Sequence, residues 1–243
     1  MAATHSKNTK VYFNGRDFSS FLNEASEPTG SQGVAETTTF ADSSKTFIPS
    51  LIDATYTLSG LFDGSANATD AVFSASLAAD NDLIVLYEGD AEGNVGYATR
   101  GISTSYEITA PVEDIVSVSL SAQSTTGVER INVLEPLGEE TSAGSSAELD
   151  SGAASANGAS LWLQVMDVSG TFGGGEGLTV SVEHATSSGG AFSSLGDFTL
   201  VSTANQHQRV AVTGTVNQFL KATWTLDGSD TPTFSFFVGV CRK

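Results

Sequence analysis

Three histidines and one cysteine are the residues of this 243-residue chain that could act as catalytic bases or nucleophiles. His5 stands in a polar N-terminal segment that is expected to be disordered. His184 continues the apolar face of a predicted strand and is interpreted as a core or rim residue, whereas His207 lies in the polar turn NQHQ. Cys241 has no base near it in the sequence to activate its thiol. These four residues therefore indicate packing and turns, and they do not indicate a catalytic site.

Two short acidic segments offer the oxygen ligands that calcium prefers. They are residues 63–67 (DGSAN) and 227–230 (DGSD), and neither continues into a full calcium loop with a terminal glutamate. Turn formation explains both segments more simply. The chain has only one cysteine and three histidines, which argues against a structural zinc site. The sequence predicts no metal and no cofactor.

A glycine-rich segment and two pairs of adjacent acids complete the residues that could do chemistry. Residues 173–177 (GGGEG) contain no lysine and lead into a predicted strand. A phosphate cradle needs the N–H groups of a helix end, so a hairpin loop is the better interpretation. The neighbours Glu113 and Asp114, and likewise Glu139 and Glu140, would point to opposite faces of a strand and could not act as a carboxylate pair. We expect a protein that is not an enzyme.

The charge is strongly acidic and unevenly distributed. The chain has 28 acidic and 10 basic residues, and residues 1–150 hold 22 of the acidic and 6 of the basic ones. This field opposes binding of nucleic acid through its phosphates, but it suits a surface along which DNA passes without adhering. No run of 18 apolar residues predicts a membrane span. Residues 1–10 lack the apolar segment of a secretory signal peptide, so synthesis inside the cell is expected.

Apolar and polar residues alternate with a period of two along most of the chain, which predicts half-buried β-strands. Ser and Thr, with 33 and 27 residues, supply much of the polar phase. About a dozen short strands at this spacing indicate a β-sandwich or a barrel. The predicted strands lie at residues 11–13, 34–40, 55–62, 83–87, 116–122, 128–134, 161–165, 178–182, 210–212, 220–226 and 234–240.

One helix is predicted against this background, at residues 70–79. Thr69 is the expected N-cap, and Asp70 places an acid at the positive end of the helix. Val72, Phe73 and Leu77 form its apolar face. Residues 24–33 and 42–53 are predicted as loops. The expected fold is therefore all-β with one short helix.

Residues 138–158 are small and polar, with almost no β-branched side chains, as linkers are. The acidic excess also ends there. The sequence predicts a sandwich or barrel domain over residues 1–140, a linker over 141–158 and a second β-sandwich domain over 159–243. The near-neutral charge of the second domain favours an outward, decoration-like position.

Several segments, in order, resemble the tail tube proteins of long-tailed bacteriophages, which are the major tail proteins of flexible, non-contractile, siphovirus-like tails. The resemblance covers residues 8–135, and residues 159–243 resemble sandwich domains appended to phage structural proteins. The matching segments are residues 11–19 (VYFNGRDFS), 35–42 (AETTTFAD), 45–51 (KTFIPSL), 54–63 (ATYTLSGLFD), the predicted helix, and 97–120 with YEITAPV at 106–112.

The resemblance implies a structural protein of the virion tail, made in the host cytoplasm. It implies hexameric rings stacked into a tube, in which strands of neighbouring copies close an inner barrel and loops connect the rings. The implied partners are further copies of this chain and other tail proteins, with no membrane, and DNA would pass through the tube without specific binding.

Two groups of residues are candidates for these roles. The region of residues 24–53 combines polar loops with apolar anchors, so it is the candidate contact between rings. Acidic residues in or beside the barrel-forming strands are candidates for the bore wall, where they would repel phosphates. The contact candidates are Phe40, Lys45, Phe47 and Ile48, and the bore candidates are Glu107, Glu113, Asp114 and Glu129.

Two alternatives stay open at the level of sequence. The first is another virion role, as a capsid decoration or baseplate protein, since a sandwich-rich chain suits these as well. The second is a carbohydrate-binding β-sandwich module in which Trp162 and Trp224 form a sugar platform. Trp224 is in phase with Leu220 and Leu226, which indicates a core position for it instead.

Overall fold

The computed structural model describes residues 6–26 and 29–243 and has an all-β fold with one short α-helix, as predicted. The alternation of apolar and polar residues explains why the predicted strands all overlap observed ones. After a 3-10 turn at Ser6–Asn8, the described elements are β1 (Lys10–Phe13), β2 (Leu22–Ala25), β3 (Thr29–Glu36), β4 (Phe47–Leu61), α1 (Thr69–Ala75), β5 (Asp80–Leu86), β6 (Val95–Thr109), β7 (Ser117–Ser124), β8 (Glu129–Glu140), β9 (Gly144–Ser145), β10 (Leu149–Asp150), β11 (Ala159–Thr171), β12 (Gly177–Ala185), β13 (Ser193–Asp197), β14 (Gln206–Val212), β15 (Phe219–Asp227) and β16 (Ser229–Arg242).

Two predicted features differ in detail. The segments expected to be loops, residues 24–33 and 42–53, contribute to β2, β3 and β4. The helix ends at Ala75 because Ala78 has a φ of 60° and the chain enters β5 at Asp80. Thr69 lies inside the helix, not at its N-cap: its hydroxyl donates to the Leu61 carbonyl and accepts from the Asp63 N–H.

The chain forms two compact units, each built from separated segments. Unit 1 comprises Met1–Ser20, Asp82–Tyr97 and Arg130–Lys243, and unit 2 comprises Phe21–Asn81 and Ala98–Glu129. This division differs from the predicted one into 1–140 and 159–243. The physical reason is strand pairing, because β8 forms an antiparallel ladder with the last strand, β16.

Unit 1 contains a sandwich of two sheets. One sheet has the order β14–β11–β16–β8, and the other has β15 and β12 at its centre with β13 at one edge. The pairs Leu163–Val238 and Val180–Trp224 lie in the two facing ladders. Their side chains belong to one buried apolar cluster. Inward-facing residues of both sheets thus form the core, as in aligned sandwiches.

The outer face of β11 is buried as well. Trp162 has no exposed surface and is covered by the Arg209 guanidinium, which lies 5.4 Å from the ring centroid. Gln164 accepts a hydrogen bond from the Gly15 N–H at 2.5 Å. The ring of Tyr12, on β1, packs 5.2 Å from that of Phe237. The N-terminal strand therefore forms part of a further layer on the sandwich.

Residues 141–158, predicted as a linker, are ordered along one edge of the small sheet. β9 and β10 pair with β15, and Ser155 and Val216 exchange two backbone hydrogen bonds. The Trp224 indole donates to the Ser142 carbonyl at 3.1 Å. The Arg242 guanidinium donates to Ser151. Small side chains suit this close approach: a Cβ at Gly144 would lie 2.7 Å from the Trp224 ring. The composition of this segment reflects tight packing and does not mark a tether.

Unit 2 is an antiparallel sheet with a helix on one face. Its order is β6–β7–β4, and β2 and β3 both pair along the far side of β4. Phe73 of α1 is fully buried and packs edge-on against Tyr106 at 6.4 Å. The Tyr106 hydroxyl donates to Asp70 at 2.7 Å, and burial of that hydroxyl raises its pKa. This packing fixes the helix over the apolar side of the sheet.

Candidate assembly surface

A long β-hairpin, here called the arm (residues 29–53), contains β3 and the first half of β4. Every described side chain from residue 30 to residue 53 is exposed. Its tip is closed by a backbone bond from Thr37 N to Thr46 O and by Asp42, whose carboxylate accepts from Thr39 N at 2.7 Å. The same bond lowers the pKa of Asp42. The arm is an ordered projection that its own unit leaves uncovered.

All four residues predicted to contact a neighbouring ring lie on this arm. Phe40 is fully exposed at the tip, and Lys45 forms a 3.0 Å ion pair with Glu36. Phe47 and Ile48 begin β4 and are about half exposed. Because Phe47 lies opposite Glu36 and Ile48 opposite Ala35, these neighbours point to opposite faces of the hairpin. The structure thus brings the four residues to one projection but not to one face.

One face of the arm is apolar and continues the buried side of the sheet. Ala54, Tyr56 and Leu58 of β4 are buried, and the same alternation puts Ile52 on their side. Along β3, Gln32 lies opposite Ile52, Val34 opposite Pro49, and Glu36 opposite Phe47. Directly opposed residues share a face. The exposed fractions of Val34, Phe47 and Ile52 are 65%, 50% and 64%. We call these three residues the arm patch.

The opposite face of the unit 2 sheet is polar and consists mainly of hydroxyl groups. Thr57 lies opposite Ser121, which lies opposite Ser105, and Ser59 lies opposite Ser119, which lies opposite Glu107. These side chains alternate with the buried Tyr56, Leu58, Val118 and Leu120. An antiparallel sheet commonly keeps one face solvated in this way. We call it the hydroxyl face; its members are Thr55, Thr57, Ser59, Ser105, Glu107, Thr109, Ser117, Ser119, Ser121 and Gln123.

The four acidic bore candidates do not lie together. Glu107 is exposed on the hydroxyl face, and Glu113 and Asp114 are exposed in the turn between β6 and β7. Glu129 differs, because only 7% of it is exposed at the start of β8. A residue of the bore wall that repels phosphates must face solvent, so Glu129 is not suited to that role. Glu129 is in phase with Ile131 and Val133, which are both buried, so the alternation of β8 directs its side chain inward.

A second exposed apolar group lies at the end of the sheet away from the arm. Ile108 follows Tyr106 on the buried side of β6 and lies opposite Val118. Val112 and Ile115 stand in the β6–β7 turn, and the Val116 carbonyl accepts from the Phe62 N–H. Val112 is fully exposed, and the others are exposed by a third or more. We call Ile108, Val112, Ile115 and Val116 the end patch.

Sequence reasoning missed Val34, Ile52 and the end patch as surface residues. Val34 was predicted as a strand residue and Ile52 as part of a loop, and neither prediction says whether another element covers the side chain. The turn sequence APVEDIV held the clearest signal. It places apolar side chains beside proline and acids, where a turn leaves them exposed.

The other residues with possible chemistry have structural surroundings. His207 lies 2.9 Å from the buried Asp82 carboxylate, and His184 accepts from the Asn217 N–H. Cys241 is buried near the end of β16, and His5 lies outside the described residues. Trp162 and Trp224 are both buried, so neither offers a flat face to a sugar. Within residues 6–26 and 29–243, no three His, Cys, Asp or Glu side chains are placed to hold a metal ion. No helix in this part of the chain has the length and apolarity to cross a membrane.

Comparison with known proteins gives similarities to solved structures at low sequence identity. No protein-family model and no curated protein sequence matches the chain. The cap that terminates the tube of the anti-feeding prophage has 14% identity and a TM-score of 0.44 over 54% of this chain and 91% of its own. The sheath/tube terminator of the PVC extracellular contractile injection system has 12% identity and a TM-score of 0.44 over 54% of this chain and 97% of its own. The Dit hub protein of phage SPP1 has 9% identity and a TM-score of 0.37 over 96% of this chain and 99% of its own.

Proposed function

We propose that this chain is a structural, non-enzymatic protein of a phage tail, which assembles into hexameric rings stacked as a tube. The observation that carries the proposal is the build of unit 2. One face of its sheet is packed by a helix, the other is a hydroxyl face, and an exposed arm extends the strands. The resemblance of residues 8–135 to tail tube proteins agrees with this build.

The outer edge of the arm supports closure into a ring. β3 pairs with β4 along one edge, and among the described residues no strand pairs with its other edge. A strand of a neighbouring copy could pair with this edge and extend the sheet, whereas β6 is already paired with β5 and β8 on the side away from β7. Closure of this kind removes exposed strand edges that would otherwise aggregate.

Charge supports a conduit for DNA. Phe21–Asn81 and Ala98–Glu129 contain 12 acidic and two basic residues. We place the hydroxyl face with Glu107 towards the bore. Hydroxyl groups and sparse carboxylates would give phosphates no cation to bind, so DNA would slide without specific contacts. Repulsion between phosphates and these acids would act over roughly 10 Å at 0.1 M salt.

A different virion role, as a capsid decoration or baseplate protein, is the second candidate. The exposed arm favours it equally, because any ordered assembly can cover such a surface. The carbohydrate-binding alternative is less suitable, since both tryptophans are buried.

Negative-stain electron microscopy of the purified chain tests the proposal. We expect rings with sixfold symmetry that stack into tubes as protein concentration rises. Closed rings of another symmetry, or single copies that bind only to preformed capsids, would support the decoration or baseplate role instead. A protein that stays monomeric at every concentration would contradict the tube.

A further inference from the structure

We propose that the arm patch of one copy docks on the end patch of a second copy, so that a head-to-tail contact between unit 2 sheets joins successive rings. This inference rests on the proposed function and adds the surface that receives the arm. Both patches belong to unit 2, and both lie on the apolar side of its sheet.

The two patches lie at opposite ends of the same strands. The arm patch includes Phe47, where β4 begins, and β4 ends at Leu61. Leu61 lies opposite Ser117, which lies opposite Thr109, one residue after Ile108. A strand rises about 3.3 Å per residue, so roughly 45 Å separates the two ends. Translation along the strands would bring the arm of one copy to the end patch of the next.

Helix α1 covers only the middle of this apolar side. Its buried residues Val72 and Phe73 pack over the sheet near Tyr106, and apolar side chains beyond the helix are exposed at both ends. Exposed apolar groups of this extent mark interaction surfaces in folded proteins. The same side of the sheet therefore lacks a cover at its two ends.

The base of the arm has room for the opposing turn. An open groove of about 500 Å³ is lined by Gly30, Gln32, Ile52 and residues 125–128. The β6–β7 turn projects Val112 and Ile115 into solvent, and both are apolar enough to fill this groove. We assign the groove to the turn of the second copy.

The contact that we propose is apolar and not electrostatic, because both ends are acidic. The arm contains Glu36, Asp42 and Asp53 against the single cation Lys45, which is paired with Glu36, and residues 105–116 contain three acids and no basic residue. A contact between different patches is heterologous and leaves a free patch on each copy, so it extends into a stack, whereas an arm-to-arm contact would stop at a pair.

Cysteine cross-linking distinguishes these arrangements. Ile52→Cys and Val112→Cys are prepared separately and treated with a short bismaleimide, alone and mixed, because Ile52 lines the groove that we assign to the turn of Val112; the wild type, with its buried Cys241, is the control. We expect cross-linked dimers in the mixture and none in either variant alone. Dimers of Ile52→Cys or of Val112→Cys alone would show a symmetric contact and overturn the inference, as would a mixture without dimers.

A second measurement separates this inference from the proposed function. The double variant Val112→Asp, Ile115→Asp is compared with Leu200→Asp, which alters an exposed apolar residue of unit 1. We expect the double variant to keep its thermal unfolding transition and to lose stacking, with single rings remaining, and Leu200→Asp to stack normally. Normal tubes from the double variant would overturn the end patch and leave the tube standing. A wild type that never self-associates would overturn both.

Discussion

Glu135 of β8 lies directly opposite Val238 of β16 in an antiparallel ladder. This pair joins a strand from the middle of the chain to its last strand within one sheet. Leu134, the neighbour of Glu135, belongs to the same buried cluster as Val238 and Phe236. The boundary of a self-sufficient domain therefore cannot fall between β8 and β16 without exposing that cluster.

Truncation after Glu140 is the first test of this relationship. It removes β11 and β16 and all of the small sheet, so we expect a protein that aggregates or unfolds without a cooperative transition. Circular dichroism during heating and size-exclusion chromatography measure this. Shortening the exposed loop at residues 173–175 is the control and should leave the transition unchanged. A truncated chain that unfolds cooperatively as a monomer would instead support the domain predicted over residues 1–140.

The second prediction concerns pH. Burial raises the pKa of Glu135 to about 7, and the Glu140 and Glu92 carboxylates add to the rise. The folded state thus holds the Glu135 proton more tightly than the unfolded state, whose pKa is about 4.5. Its contribution to stability is complete below about pH 4.5 and is lost as pH rises to about 7.

Glu135→Gln removes this titration. At pH 8 we expect the variant to be more stable than the wild type, by up to about 3 kcal/mol, and at pH 4 the two should be nearly equal. Urea unfolding at both pH values provides the free energies. Glu139→Gln, at an exposed neighbour, should give the wild-type profile. If Glu135→Gln and the wild type show parallel pH profiles, the buried carboxyl does not control stability.

The third prediction tests the tip of the arm. Glu36 lies opposite Phe47, so an Asn-Gly turn can replace residues 37–46 and keep the hairpin. Because the deleted side chains are exposed, we expect the free energy of unfolding to change by less than about 1 kcal/mol. Loss of Phe40 and Lys45 should reduce the formation of tubes in negative-stain images. Tubes of normal number and length would place the contact elsewhere on the arm.

The fourth prediction concerns the acids that remain bore candidates. Glu107→Lys, on the hydroxyl face, should allow assembly but make the tubes retain DNA; Glu113 and Asp114 are left unchanged because they lie in the turn that carries the end patch. Each added lysine supplies a phosphate contact that must be broken for DNA to move, so retention should fall steeply with salt. Co-sedimentation of tubes with linear DNA measures it. A matched control carries Asp227→Lys. Equal retention by both variants would mean that net charge, not the bore, attracts DNA.

The strands of the core could be predicted because burial of one face places apolar residues at every second position of the sequence. Leu220, Ala222 and Trp224 are buried in β15 as their alternation predicts. The arm was predicted only in part, as a strand at residues 34–40 between two loops, because both its faces are exposed and alternation then has no cause. Residues 141–158 were predicted as a linker because small, polar side chains are typical of linkers. In this segment the small side chains instead allow close packing against β15.

The site was predicted in part. Phe40, Lys45, Phe47 and Ile48 do lie on one projection, but the end patch depends on which apolar side chains α1 leaves uncovered. That is a matter of helix length, and the helix ends four residues earlier than its sequence pattern suggested. Glu129 was misplaced although its spacing from Ile131 and Val133 already indicates an inward direction.

The position of β16 has a consequence for synthesis of the protein. It is the last of the described strands to be synthesised, yet in its sheet it lies between β11 and β8. Until it emerges, the nascent chain holds two strands of unit 1 with open edges and an apolar cluster without its phenylalanines. Unit 2, whose segments end at Glu129, is complete much earlier. The surface that we propose for assembly thus forms before the sandwich is finished, and premature association is a hazard until β16 pairs with β8 and β11.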